Sequence, residues 1–179
     1  EFRRVLFRSG VSGLISLYQE YLQDILTAMD YNLKIYEGLE KLSRNRFPTP
    51  AVFIYLSEDE ELQRDGELVK KEDDLENKMR YYTKRDYKVT NYIYLLFVAK
   101  KEATATEIRN IFLSSLDKKI QDNKGNEVKI EVNKSSLHLT GDMLKKKVAR
   151  ELLLEFEGGI YSKKTFKLVD LAPEEGGIE

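Results

Sequence analysis

Between Val148 and Val169 the chain lays down two runs of alternating apolar and polar residues, one on each side of Gly158-Gly159. No other stretch restricts the fold as much. Side chains alternate faces along a strand, so each run reads as a strand with one apolar face. Glycines between two such runs signal a β-hairpin. Register then selects the loop length, because a one-residue slip exchanges the faces. A two-residue loop sets Leu154 against Lys163 and Arg150 against Lys167, apolar against cation and cation against cation. An odd loop gathers Leu152, Leu154, Phe156, Phe166 and Leu168 on one face. A three-residue loop from Gly158 to Ile160 then pairs Glu155 with Lys163 and Glu151 with Lys167 on the other. Opposite charges facing across strands contribute roughly 0.2–1 kcal/mol each. A loop from Glu157 to Gly159, with Gly159 left-handed in a bulge, gives the same faces. The sequence therefore predicts an odd-residue hairpin loop, with an apolar face that another layer must cover.

The rest of the chain supplies candidates for that layer. Its 179 residues suit one domain or a domain with an appendage. The composition is 41% hydrophobic and 34% charged, enough for a core beneath a heavily charged surface. Ser12 to Met29 repeats Leu14, Leu17, Tyr18, Tyr21, Leu22, Ile25, Leu26 and Met29 at helical spacing, with Ser12 placed to cap it. Leu33 to Leu42 fits either a continuing helix or a short strand, and Phe47-Pro48-Thr49-Pro50 ends it. Ala51 to Leu56 reads as a buried strand. Residues 57–78, polar and acidic around Gly66, read as a long excursion loop. Met79 to Lys101 returns to strand, and Tyr92 to Ala99 is apolar enough to be central and covered on both faces. Thr104-Ala105-Thr106-Glu107 has the form of a capping box opening a second helix with a stripe of Ile108, Ile111, Phe112 and Leu116. Asp122 to Asn126 is a turn. Glu127 to Val132 is a strand, and Ser135 to Lys147 is a mixed link with a helical turn at Asp142 to Lys146. This order gives an α+β fold, a two-layer domain with a mostly antiparallel sheet of about five or six strands packed by two amphipathic helices. Residues 10–171 form that domain, and 172–179 are an acidic, disordered tail. Residues 1–9 resemble a translated sequencing-adaptor end. They predict a fragment assembled from environmental DNA, with the true chain beginning near Gly10.

Composition also narrows the chemistry. There is no Cys and one His, so disulfides, thiolate catalysis and Cys-based zinc sites are excluded. A net charge of −1 gives no case for nucleic acid, and no apolar run approaches a membrane span. Glu58, Asp59, Glu60 and Glu61 follow a strand end, where carboxylates can hold metals for phosphoryl chemistry. They have no His or basic partner at a defined spacing, so the reading is a solvated acidic loop. Glu127-Val128-Lys129 matches half of a restriction-type nuclease site without an upstream acid. His138 would need a positioned partner to act as a general base. Lys145, Lys146, Lys147 and Arg150 form a basic patch suited to phosphate or an acidic protein surface. The tyrosines from Tyr81 to Tyr94 could stack bases, but at strand spacing they fit core or interface. No Gly-rich phosphate loop, HExxH or nucleophile elbow is present, and no cofactor is expected.

Taken in order, these elements resemble the tail terminator (tail-completion, neck) proteins of tailed bacteriophages and the cap proteins of contractile injection systems. The resemblance runs over residues 12–121: the amphipathic helix; the Pro-led strand Phe47-Pro48-Thr49-Pro50-Ala51-Val52-Phe53-Ile54-Tyr55-Leu56; the polar excursion; the long strand Tyr87 to Ala99; and the capped helix Thr104 to Ile120. It implies a structural role rather than an enzyme. Such proteins form a ring, usually a hexamer, that ends the tail tube and presents the surface that joins the head. Partners would then be further copies, tail-tube and head-completion proteins, in a virion assembled in the bacterial cytoplasm. The acidic set Glu58–Glu61 and the basic set Lys145–Arg150 are candidate ring contacts of opposite sign. Two other readings stay open: a nucleic-acid-binding or nuclease-like module, and another phage connector or baseplate protein.

Overall fold

The structure is a computed structural model that describes residues 10–44, 46–138 and 146–168. In chain order the elements are α1 (Gly10–Ala28), β1 (Lys34–Glu37), α2 (Glu40–Arg44), β2 (Ala51–Asp74), β3 (Met79–Ala99), α3 (Glu102–Ser115), β4 (Lys119–Gln121), β5 (Glu127–His138) and β6 (Val148–Lys167). All six strands join one sheet in the order β1-β2-β3-β6-β5-β4. β1 runs parallel to β2, with α2 in the connection, whereas β4 with β5 and β5 with β6 are antiparallel. Four turn residues join β2 to β3, a link too short for anything but an antiparallel pair. The mixed α and β class and the six strands agree with expectation; the helices number three among the described residues, where the sequence predicts two in a two-layer packing. The expected first and last residues, 1–9 and 172–179, lie outside the described residues, as do Lys145 and most of the helical turn expected at Asp142–Lys146.

The chain divides into two compact units. The first holds residues up to Glu60 and from Thr90 to Gly158, and its sheet has a core on each face. On one face α1 and α3 pack Tyr18, Leu22, Leu26, Ile108 and Phe112 against Val52, Ile54, Ile93, Leu95, Phe97, Leu152, Leu154 and Phe156, all at most 1% exposed. A smaller cluster of Leu42, Ala51, Phe53, Leu96, Val98 and Ala149 occupies the other face. Burying each large side chain contributes about 1.5–3 kcal/mol, so the helix-covered face is the main source of stability. Alternate faces of β2 and β3 are thus both buried here, as the apolar run Tyr92–Ala99 predicts. The expected turn also forms. The Asp122 carboxylate accepts from the backbone N–H groups of Lys124 and Asn126, and Gly125 sits at φ +80°.

The second unit spans Glu61–Val89 and residues from Gly159 onward. It is an arm of three strands, the outer parts of β2 and β6 flanking the first part of β3. Tyr82 packs edge-on against Phe166 and the Leu168 N–H donates to the Lys78 carbonyl, so β6 and β3 are antiparallel here. Among the arm's described residues only Val89 is buried. Residues 57–74 are therefore strand, and the expected excursion loop is corrected. Gly66, at φ +113°, is absorbed within that strand.

The hairpin predicted at Gly158-Gly159 does not form: β6 passes through both glycines without turning. Glu155 faces Glu131 and Glu151 faces Ser136 on β5, not Lys163 and Lys167. Leu152, Leu154 and Phe156 are buried as expected, but Phe166 is 51% exposed. Close approach, not turning, explains the glycine at 158, where a Cβ would lie 2.8 Å from the Tyr18 hydroxyl. At 159 it would lie 2.7 Å from Arg85 Cδ. Two helix starts also differ. α1 includes Ser12, so that residue is not its cap. α3 begins at Glu102 with Lys101 as N-cap and no side-chain capping bond, two residues ahead of the expected box. A carboxylate in the first turn supports that start through the helix dipole. The ambiguous Leu33–Leu42 stretch resolves into both options, a strand and then a short helix, separated by Gly38 at φ +75°.

Candidate functional site

The predicted basic and acidic sets fare differently. The guanidinium of Arg150 lies on the helix-covered face, donating to Thr106 Oγ1 at 3.1 Å and to Glu102 Oε1 at 3.1 Å. Its charge serves to hold β6 against the first turns of α3. Lys147 goes elsewhere, with its ammonium 4.4 Å from the centre of the Phe47 ring. Lys146 is exposed at φ +67°. Arg150 and Lys147 thus make separate contacts, one with α3 and one with Phe47. Glu58, Asp59, Glu60 and Glu61 are all exposed on β2. Glu60 accepts from the amide of Asn91 at 3.0 Å, and Asp59 N–H donates to the Ser57 hydroxyl at 3.2 Å.

The half nuclease motif is on β5, where Glu127 pairs with Lys119 at 3.1 Å and Lys129 faces Glu157. Among the described residues no group of three or more His, Asp or Glu side chains could hold a metal ion. His138 does acquire a partner that sequence spacing could not show: its Nε2 is 3.8 Å from Glu151 Oε1. The other Glu151 oxygen accepts from the Tyr55 hydroxyl. Tyr55 stacks on Tyr94 at 4.9 Å and 6°. Burial, and then the Glu151 carboxylate, push the Tyr55 phenol far above its ordinary range. Tyr55 and Glu151 are 96 residues apart in sequence, and only the strand order brings them together.

Two shallow grooves flank α3. One of about 770 Å³ runs along its outer face past Glu102, Thr106, Glu107 and Arg150. The other, about 460 Å³, lies between α1 and α3 and is lined by Tyr21, Ile25, Met29 and Ile111. Hydrogen bonds from Tyr31 to Glu107 at 2.6 Å and from Tyr21 to Asp117 at 2.8 Å tie the residues around them. Burial, opposed by the Asp117 backbone N–H and reinforced by its carboxylate, pushes the Tyr21 phenol up to about 12 from 10.0. The folded chain therefore holds this proton more tightly than the unfolded one. The contribution is whole below pH 10 and shrinks as pH rises through 12. Urea midpoints measured across that window should fall less steeply for Tyr21→Phe than for the parent chain. Equal slopes would remove Tyr21 from the account.

The arm offers a different kind of surface. Asp65 and Glu67 share Arg85 at 2.5 and 3.0 Å, and Gly66 approaches Lys84, so residues of like parity on β2 and β3 share a face. The Tyr82–Phe166 contact extends that parity to β6. Leu62, Leu68, Ile160 and Phe166 consequently stand on one face of the arm beside Tyr82, each of the four between 41% and 59% exposed. The opposite face carries the Arg85 ion pairs and Lys163, whose ammonium lies 4.7 Å from the centre of the Tyr81 ring. Sequence reasoning missed this apolar stripe. On β2 its members are isolated among charges and six residues apart, too sparse to read as alternation.

No protein-family model and no curated protein matches the chain. Among solved structures, one chain of the "Virion of native gene transfer agent (GTA) particle" is similar over 89% of this chain and 92% of its own, at a TM-score of 0.38 and 9% sequence identity. The described helices include none long and apolar enough to cross a membrane.

Proposed function

We propose that this chain is a structural virion component that assembles with copies of itself into a ring, in the manner of the phage tail terminators its element order resembles, ending the tail tube and presenting a joint for the head. The observation that carries the reading is the arm. A sheet is stable when an apolar face is buried against another layer. Here, among the described residues, three strands carry a single buried residue, while Leu62, Leu68, Ile160 and Phe166 stay exposed on one face. Four exposed large apolar side chains on a face with no covering layer are surface that another protein can bury, and a structural assembly supplies such a partner at every subunit.

The role is tested by light scattering and negative-stain imaging of the purified chain. A ring mass is expected, and it should shift toward monomer when Leu62, Leu68 and Phe166 are together changed to serine. All three are exposed, so circular dichroism of the variant should match the parent. A parent chain that stays monomeric at every concentration would reject the reading.

A further inference from the structure

We propose that successive copies of this chain join head to tail along the two edges of the arm, the acid-rich β2 edge of one copy adding to the lysine-rich β6 edge of the next. The proposal rests on the ring-forming reading and states how the ring closes.

The first observation is that the arm has two open edges. β1 pairs with β2 only over Ala51–Ile54, and β5 pairs with β6 only over Ala149–Glu157. Beyond those limits, among the described residues, β2 and β6 each have β3 as their one neighbour. An edge strand leaves alternate backbone N–H and C=O groups unpaired by the sheet, a template for another strand. The β6 stretch from Gly159 to Lys167 presents about 30 Å of such edge at about 3.3 Å per residue.

The second observation is that the two edges differ in charge. From Glu61 to Asp74, β2 carries six acids and three bases. From Gly159 to Lys167, β6 carries Lys163, Lys164 and Lys167 and no acid. Some of this charge is used inside the arm, as Asp65 and Glu67 on Arg85, Asp73 on Arg80 and Glu72 on Lys70. Glu61 and the three lysines stay exposed.

Charge then decides which edges can meet. Two β6 edges would set lysines against lysines, and two β2 edges would set acids against acids; like charges across a strand pair oppose pairing. Only the unlike edges attract. Pairing of unlike edges is heterologous, so it does not stop at a dimer but continues until it closes as a ring or runs on as a filament. Lysines on a lone edge strand are also a common guard against aggregation. Here the same residues block the wrong partner while leaving the acidic edge as the matching one.

The test uses the whole chain and two variants. Lys163→Glu, Lys164→Glu and Lys167→Glu together make both edges acidic; Glu61→Lys and Glu72→Lys together reverse the sign of the β2 edge. Each variant should self-associate at least about tenfold more weakly than the parent in light scattering, with unchanged circular dichroism. An equimolar mixture should regain the parent mass, because each variant then meets an edge of opposite sign. Parent association should also weaken between about 0.1 M and 1 M salt. A lysine-reversed variant that keeps the parent mass, or a mixture of folded variants that regains nothing, overturns the edge pairing and leaves the ring reading standing. A parent chain that never associates overturns both.

Discussion

Phe156→Ala should destabilise the chain by about 3–5 kcal/mol, the cost of emptying a large buried site, whereas Phe166→Ala on the same strand should cost under about 0.5 kcal/mol. Phe156 is fully buried, stacks on Tyr18 at 4.5 Å and 20°, and lies opposite Ile130 on β5. Phe166 is 51% exposed and touches Tyr82 edge-on at 5.4 Å. Urea unfolding of the two variants checks this directly. Were β6 a hairpin, both phenylalanines would share one core face and both truncations would be costly. The small value expected at Phe166 should come with weaker self-association, since that ring belongs to the proposed contact stripe. Equal destabilisation at the two positions would contradict a continuous strand.

The second large effect concerns how α3 is fixed to the sheet. Phe112 on the helix and Phe97 on the central strand are both fully buried, with ring centres 5.6 Å apart and planes tilted by 54°. Each truncation to alanine should cost about 3–5 kcal/mol. The double variant should cost less than the sum of the singles, because neighbouring residues share a cavity and a ring contact, with coupling of about 0.5–3 kcal/mol. A double-mutant cycle on urea unfolding measures that difference. Strict additivity would mean the rings do not act as a pair. The Arg150 link to Glu102 and Thr106 sits on the same helix, but its ion pair lies at a half-exposed surface and should contribute about 1 kcal/mol or less.

The helix faces were readable because their period survives any tertiary arrangement. Tyr18, Leu22, Leu26, Met29, Ile108 and Phe112 are buried as their spacing predicts. The central strand was readable because Tyr92–Ala99 admits no polar face. Gly158-Gly159 misled for a physical reason: a glycine pair has the same form whether the backbone needs room to turn or room for a neighbour, and the neighbours Tyr18 and Arg85 come from distant sequence. The arm misled because turn-like letters such as Asp65-Gly66-Glu67 lie within a strand, held there by cross-strand ion pairs rather than by apolar alternation. The Tyr55, Glu151 and His138 array was hidden for a third reason. Its members are unremarkable alone, and only the neighbouring of β2, β3, β6 and β5 makes them a group.

β6 has a consequence for how protection is distributed along one strand. Over Leu152–Phe156 its alternate residues are buried and β5 hydrogen-bonds its second side; from Ile160 onward no described residue is buried. Amide exchange follows the free energy of local opening, which is high where a strand is packed and low where it is not. Deuterium uptake should therefore rise along this single strand, slow at Leu152 and Leu154, fast at Lys163 and Lys164. On assembly the fast half should slow while the already slow half stays as it was. The exchange profile of one strand would thus record whether a subunit is still free or already in place.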